Sequence, residues 1–232
     1  MTRSRARFFM AVAIVAPAYL FVAHAQQAKP ANPAQKSNEP MKSDAAKTGV
    51  PTKAQKIADA MSAAPPAISR GATIMDWGAD PMKDKPTQLR AGTNGWVCYP
   101  TMQMPGMPAN ANSPMCIDKQ WQAWAEAYMA DWANPPASRG KTGPKVTGTG
   151  VAYMLKGDDG ASNTDPFAEG PTPANDWVVS PPHIMVLFGD LKMLDAYPTD
   201  PKNGGPWVMW KGTPYAHLMV PVSATKGATV TK

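Results

Sequence analysis

Cysteine, histidine and charge are all scarce in this chain. Of its 232 residues two are cysteine and three histidine, and charged residues make up 17%. Two cysteines are too few for a cysteine-dense scaffold or a four-thiolate metal site. No apolar run reaches the ~20 residues that a membrane-spanning helix needs. The longest, residues 8–22, is interrupted by Pro17. No Gly-x-Ser-x-Gly elbow surrounds any serine, which removes the commonest local signature of a serine hydrolase. Gly140-Lys141-Thr142 resembles the end of a phosphate-binding loop, but Pro135 stands where the first glycine is required, and Gly143-Pro144 follow where a helix would begin.

What is present begins with an export address. Arg3, Arg5 and Arg7 precede the apolar run, and Ala23-His24-Ala25 offers a small-x-small cleavage site before Gln26. Residues 1–25 are therefore expected to be a cleaved signal peptide, with the product periplasmic or secreted and no transmembrane segment left after cleavage. The arginines are not paired and position 26 is not cysteine, so neither a twin-arginine nor a lipid-anchored route is expected. The leader holds three of the 23 basic residues and none of the 17 acidic ones, so the remainder carries a net charge of +3. Four lysines and two acids then fall in residues 26–51, which leaves +1 from Thr52 onward. Nucleic acid is not an expected partner, because a nucleic-acid footprint requires a basic stripe on the domain itself.

Residues 26–51 are rich in Ala, Pro, Lys, Gln and Ser and contain no aromatic residue. Such a stretch buries too little apolar surface to order itself and is expected to be a disordered spacer. It is either a solvated tail or a reach toward an envelope component. All eight tryptophans lie beyond it, in residues 52–222, which are expected to form a single globular domain followed by a frayed tail at 223–232. In an exported chain Cys98 and Cys116 are expected to form a disulfide closing the Pro-, Asn- and Met-rich residues 99–115.

Thr52 with Gln55 reads as a capping box opening a helix that Pro65-Pro66 stops. Short strands are expected at 72–75, 88–91 and 96–99, the last fed by an Asn94-Gly95 turn. Ser113-Pro114 reads as the N-cap and first position of a helix running to Trp132. On it Trp121, Trp124, Tyr128 and Trp132 share one face, expected to be core rather than a sugar-stacking platform. Strands are expected at 146–155 and at 177–188, the latter interrupted at Pro181-Pro182. A short helix at 190–197 precedes an antiparallel pair, 207–210 with 215–222. The fold class is α+β: an antiparallel sheet packed by two or three helices, with long irregular loops.

Two of the three histidines lie beyond the leader and share one pattern, His183-Ile184-Met185 and His217-Leu218-Met219. Residues two apart on a strand face the same way, so each segment presents an imidazole beside a thioether. Imidazole and thioether suit cuprous ion, and if the strands were neighbours in register all four groups would converge. Met102, Met104 and Met107 form a second candidate cluster, similar at motif level to methionine-rich segments of exported copper-handling proteins. Taken separately, each histidine is more simply read as a core residue bonded to a carbonyl beside a gap-filling methionine, and an acid/base role is a third reading. Asp158-Asp159-Gly160-Ala161-Ser162-Asn163-Thr164-Asp165 has calcium-type oxygens but not the twelve-residue loop spacing, and turn formation accounts for it as well. Three functions follow: a non-catalytic binding module for a small ligand or Cu(I), an envelope-associated interaction protein, or a hydrolase using His183 or His217 with Ser162 or Ser180 and an aspartate. The leader reading is checked by the intact mass of the exported protein, expected to begin at Gln26; a mass retaining residues 1–25 overturns it.

Overall fold

The computed structural model describes residues 50–102, 111–222 and 229–231. The leader, residues 26–49 of the spacer, and Met104 and Met107 lie outside the described residues. Among the described residues, no helix is long and apolar enough to cross a membrane.

Helix α1 (Lys53–Ser62) opens as the capping box requires: Thr52 Oγ1 accepts from Gln55 N–H, and Gln55 Oε1 accepts from Thr52 N–H. After Pro65 a single turn, α2 (Pro66–Ser69), leads to β1 (Thr73–Asp76). Ala60, Ala63 and Ala64 then pack on Ala72, Ile74, Cys98 and Cys116. Small side chains at this contact let the helix lie close to the strands, where dispersion gains most.

The main sheet has eight strands. In chain order they are β1, β2 (Thr87–Arg90), β3 (Val97–Tyr99), β4 (Met115–Ile117), β5 (Gly150–Met154), β8 (His183–Leu187), β9 (Trp207–Met209) and β10 (His217–Pro221). Their spatial order is β2-β1-β3-β4-β5-β8-β10-β9. The sheet is mixed rather than purely antiparallel, because β1 and β3 run parallel while every other pairing is antiparallel. A parallel pair needs a crossover, and the excursion through β2 supplies it. A smaller sheet joins β6 (Ala161–Ser162), β7 (Trp177–Val179) and β11 (Thr229–Thr231) in the order β11-β7-β6. Part of the tail expected to fray is thus a paired strand. The strand expected at 177–188 is two strands in two sheets, because Pro181 and Pro182 carry no N–H to continue a ladder.

One helix boundary differs from expectation. Residues 115–117, read as helix, form β4, and α3 spans Lys119–Trp132. Two constraints override the Ser113-Pro114 signal. Cys116 lies directly opposite Cys98 in the β3–β4 ladder and is bonded to it, with Cα atoms 4.0 Å apart. Asp118 is also the working N-cap: Oδ1 accepts from Trp121 N–H at 2.9 Å and Oδ2 from Val151 N–H at 2.7 Å. One carboxylate caps α3 and ties its start to β5.

Alternation along the strands separates two faces. Ile117, Ala152, Met154, Met185, Leu187, Met209 and Met219 share a core with Trp121 and Trp124 of α3. Leu218 and Val208, with Val186 against them, face the other way and pack with Leu194 of the short 3-10 turn Leu191–Ala196. The Cys98–Cys116 bond closes a loop with sequence separation 18. Replacing both cysteines by alanine is expected to lower stability by about 3 kcal/mol, from loop-closure entropy. Urea unfolding of the pair of proteins measures it, and equal midpoints would contradict it.

Candidate functional site

The ladder register lays methionine and histidine across four neighbouring strands. Met154 of β5 is opposite His183 of β8; Met185 of β8 is opposite Met219 of β10; His217 of β10 is opposite Met209 of β9. Paired residues point to the same face, so all six side chains line the side of the sheet covered by α3. The four methionines are 9% exposed or less, His183 0% and His217 2%. The structure therefore brings Met185 and Met219 together, with one imidazole on each side of them. It does not bring the imidazoles to each other. His183 is opposite Pro221, and His217 lies four residues back along β10, about 13 Å by strand rise. That separation is along the backbone; the His183 ring still acts electrostatically on His217.

The two imidazoles are held alike. His183 Nδ1 is 2.7 Å from Pro181 O, and His217 Nδ1 is 3.1 Å from Tyr215 O. A carbonyl only accepts, so Nδ1 carries the proton in each ring and Nε2 presents a lone pair. Neither Nε2 has a hydrogen-bond partner, and both are buried. Burial pushes both imidazoles below their ordinary pKa, His217 to about 4. Both rings are neutral at pH 7.

Their surroundings differ. His217 is packed against Trp121, Trp124 and Trp210, with ring centroids at 5.3, 5.9 and 5.0 Å. The indole N–H groups of Trp121 and Trp124 are also buried without partners. Trp210 sits at φ 57°, the one left-handed non-glycine among the described residues, a conformation that costs about 1–3 kcal/mol for a bulky side chain. Two bonds hold it there: its backbone N–H donates to Asn163 O and its indole N–H to Ser162 O at 2.6 Å. His183 instead faces Asp158, whose Oδ2 lies 4.0 Å from Nε2. Asp158 Oδ1 accepts from the N–H groups of Gly160 and Ser180, and burial raises its pKa. Gly157 makes this approach feasible: at φ +84° a Cβ would lie 2.6 Å from Ser180 O.

The other candidate residues resolve as follows. Met102 is half-buried and belongs to none of these four strands. In the aspartate-rich loop Asp165 accepts from Phe167 N–H and Ser162 Oγ from the N–H groups of Thr164 and Asp165, all turn bonds, while Asp159 ties the loop to Asn112 N–H far away in the chain. Among the described residues no group of three or more His, Cys, Asp or Glu side chains is arranged to hold a metal ion. Neither Ser162 nor Ser180 hydrogen-bonds an imidazole; Ser180 Oγ is buried without a partner. Two shallow polar clefts, of about 350 and 370 Å³, share Thr164 and include neither histidine.

Sequence reasoning missed Met154 and Met209, and read Asp158 as part of a turn or calcium-type loop and not as a neighbour of His183. Both methionines lie in correctly anticipated strands, but nothing local marks which residue a strand neighbour presents.

The sign of the His217 shift sets a pH dependence. Its folded pKa lies below the unfolded value of ~6.5, so the unfolded chain binds the proton first as pH falls. Stability from the neutral ring is present above pH ~6.5 and is lost toward pH 4, by on the order of 3 kcal/mol. Urea unfolding from pH 7.5 to 4.5 is expected to show this loss in the parent and a flatter profile in His217→Gln. Parallel profiles would contradict it.

Comparison of the chain with family models, with curated proteins and with solved structures returned no match, so its functional reading rests on its own residues.

Proposed function

We propose that this is an exported, non-catalytic binding module for a soft monovalent cation, Cu(I), held on the His/Met face of the sheet. One observation carries the reading: each imidazole has Nδ1 anchored on a carbonyl and Nε2 unpartnered, and each lies opposite one methionine and two residues from another. A ligating histidine is oriented in this way, through its second nitrogen. Thioether sulfur beside imidazole selects a soft ion over calcium or magnesium.

The His217 half is the better cuprous site. Met209 stands across from it, Met219 follows it at i+2, and three indoles pack edge-to-face with the ring. The export reading supports the same conclusion, since the leader residues and the Cys98–Cys116 bond both suit an oxidising compartment. The catalytic alternative has less behind it, because His183 and His217 each spend Nδ1 on a carbonyl and no hydroxyl reaches either Nε2.

A competition titration against a chromophoric Cu(I) chelator tests the proposal, with ascorbate as reductant so that the disulfide stays closed. The parent is expected to draw Cu(I) from the chelator, and His217→Ala to weaken binding by about tenfold or more. Met209→Leu is expected to weaken it in the same direction with little change in folding, since the swap keeps volume. Failure of the parent to compete, or equal affinity in parent and His217→Ala, would sink it.

A further inference from the structure

Positive charge is segregated in the chain that follows α3. Residues 132–157 hold Arg139, Lys141, Lys145 and Lys156 and no aspartate or glutamate, whereas the rest of the chain from Thr52 onward has more acids than bases. Three of these cations fall in residues 139–145, the loop that contains Gly140-Lys141-Thr142. Arg139 is held in place: its guanidinium lies 4.4 Å from the Trp132 ring centroid and 5.9 Å from that of Phe167, and its Nε donates to Asn134 O. Such stacking sets the plane of the fork, and its two terminal nitrogens have no ion pair or hydrogen bond among the described residues. Lys141 and Lys145 are exposed and make no ion pair among them either. The adjacent carboxylate is engaged, since Asp131 accepts from Gly140 N–H, Asn134 Nδ2 and Tyr215 OH. The backbone adds donors. Gly140 and Gly143 take left-handed φ of 73° and 68°, so the chain turns twice in four residues. The N–H groups of Lys141, Thr142 and Gly143 donate to no backbone acceptor among the described residues, and Gly143 is seated on Pro214, where a Cβ would collide.

We infer that the 139–145 loop is a binding site for a phosphate group. A guanidinium held flat on an aromatic ring meets two oxygens of one phosphate at once, a geometry that an ammonium does not reproduce. Lys141 and Lys145 add positive charge without a fixed direction, and loop amides between left-handed turns form a concavity suited to an anion. Phosphate fits three cations better than a single carboxylate does, because it carries about two negative charges at neutral pH and offers three oxygens. The first glycine of a nucleotide-binding loop is replaced by Pro135 and no helix follows Thr142, so the group is recognised by its charge and oxygens and not as part of a nucleotide. The inference is independent of cuprous binding, since no residue of the loop belongs to β5, β8, β9 or β10.

Amide proton and nitrogen NMR shifts of the full chain test it, with inorganic phosphate as the probe and chloride at matched ionic strength as the control. Phosphate is expected to shift Lys141, Thr142 and Gly143 along a saturating curve that chloride does not reproduce, and added salt to weaken the binding. Arg139→Gln and Lys141→Gln are each expected to lower the affinity by about tenfold, and Arg139→Lys to lower it in the same direction although the charge is kept. Lys192→Gln, the same charge change at an exposed position outside the loop, is expected to leave it unchanged. Lys141 is exposed, so its variant reports on binding independently of the Arg139 stack. Vesicles of equimolar POPC and POPG separate the two sources of the group. Cosedimentation that Arg139→Gln and Lys141→Gln both abolish assigns a lipid headgroup; saturable phosphate binding without cosedimentation assigns a soluble phosphate. Coincident phosphate and chloride titrations, or parental affinity in both Arg139→Gln and Lys141→Gln, overturn the inference.

Discussion

The register of β8 between β5 and β10 is the constraint on which the chemistry of this molecule depends. Ala152 against Met185 and Met185 against Met219 set one row of the sheet; Met154 against His183 sets the next. Because side chains alternate, a one-residue slip of β8 would move His183 and Met185 to the face covered by the Leu191–Ala196 turn and put Ile184 and Val186 under α3. The interface at stake is large, since α3 brings Trp121 and Trp124 onto that face. Asp118 fixes the helix to β5 while capping it, so the packing of α3 and the choice of register reinforce each other.

This arrangement puts polar nitrogen where a core would ordinarily be apolar. His183, His217, Trp121, Trp124 and Ser180 each bury an atom with no partner in the protein. Each such atom costs about 1–3 kcal/mol relative to hydration. The surrounding aromatic packing offsets part of that cost: Trp124 stacks on Tyr128 and Trp210, and Tyr215 meets it edge-on.

How far the sequence carries depends on the range of the forces involved. The Thr52–Gln55 capping box is a three-residue interaction and was legible outright. So was the β9–β10 hairpin, and of the aromatic stripe of α3 Trp121 and Trp124 are buried while Tyr128 and Trp132 are half-buried. Ser113-Pro114 misled because a genuine local helix signal lost to two non-local ties, the Cys98–Cys116 pairing and the bond from Val151 to Asp118. The His-x-Met repeats were visible, and each proved to be one end of a strand pair. That Met154 and Met209 complete the pattern, and that Asp158 folds back on His183 from 25 residues away, rests on register and loop closure, which leave no mark in nearby residues. The same holds for the parallel β1–β3 pair, since strand direction follows from how the chain returns.

Trp210 connects regions far apart in the chain. Its backbone and indole bond the carbonyls of Asn163 and Ser162, and its ring closes the box around His217. Asn163 in turn accepts from Trp207 Nε1 and donates to Thr199 O. The loop around residues 162–163 and the wall of the imidazole box are thereby one mechanical unit. Release of the Trp210 contacts would relax a left-handed backbone and uncover His217 in the same motion. A substitution at Trp210 therefore disturbs the loop at 162–163 and the packing of His217 together.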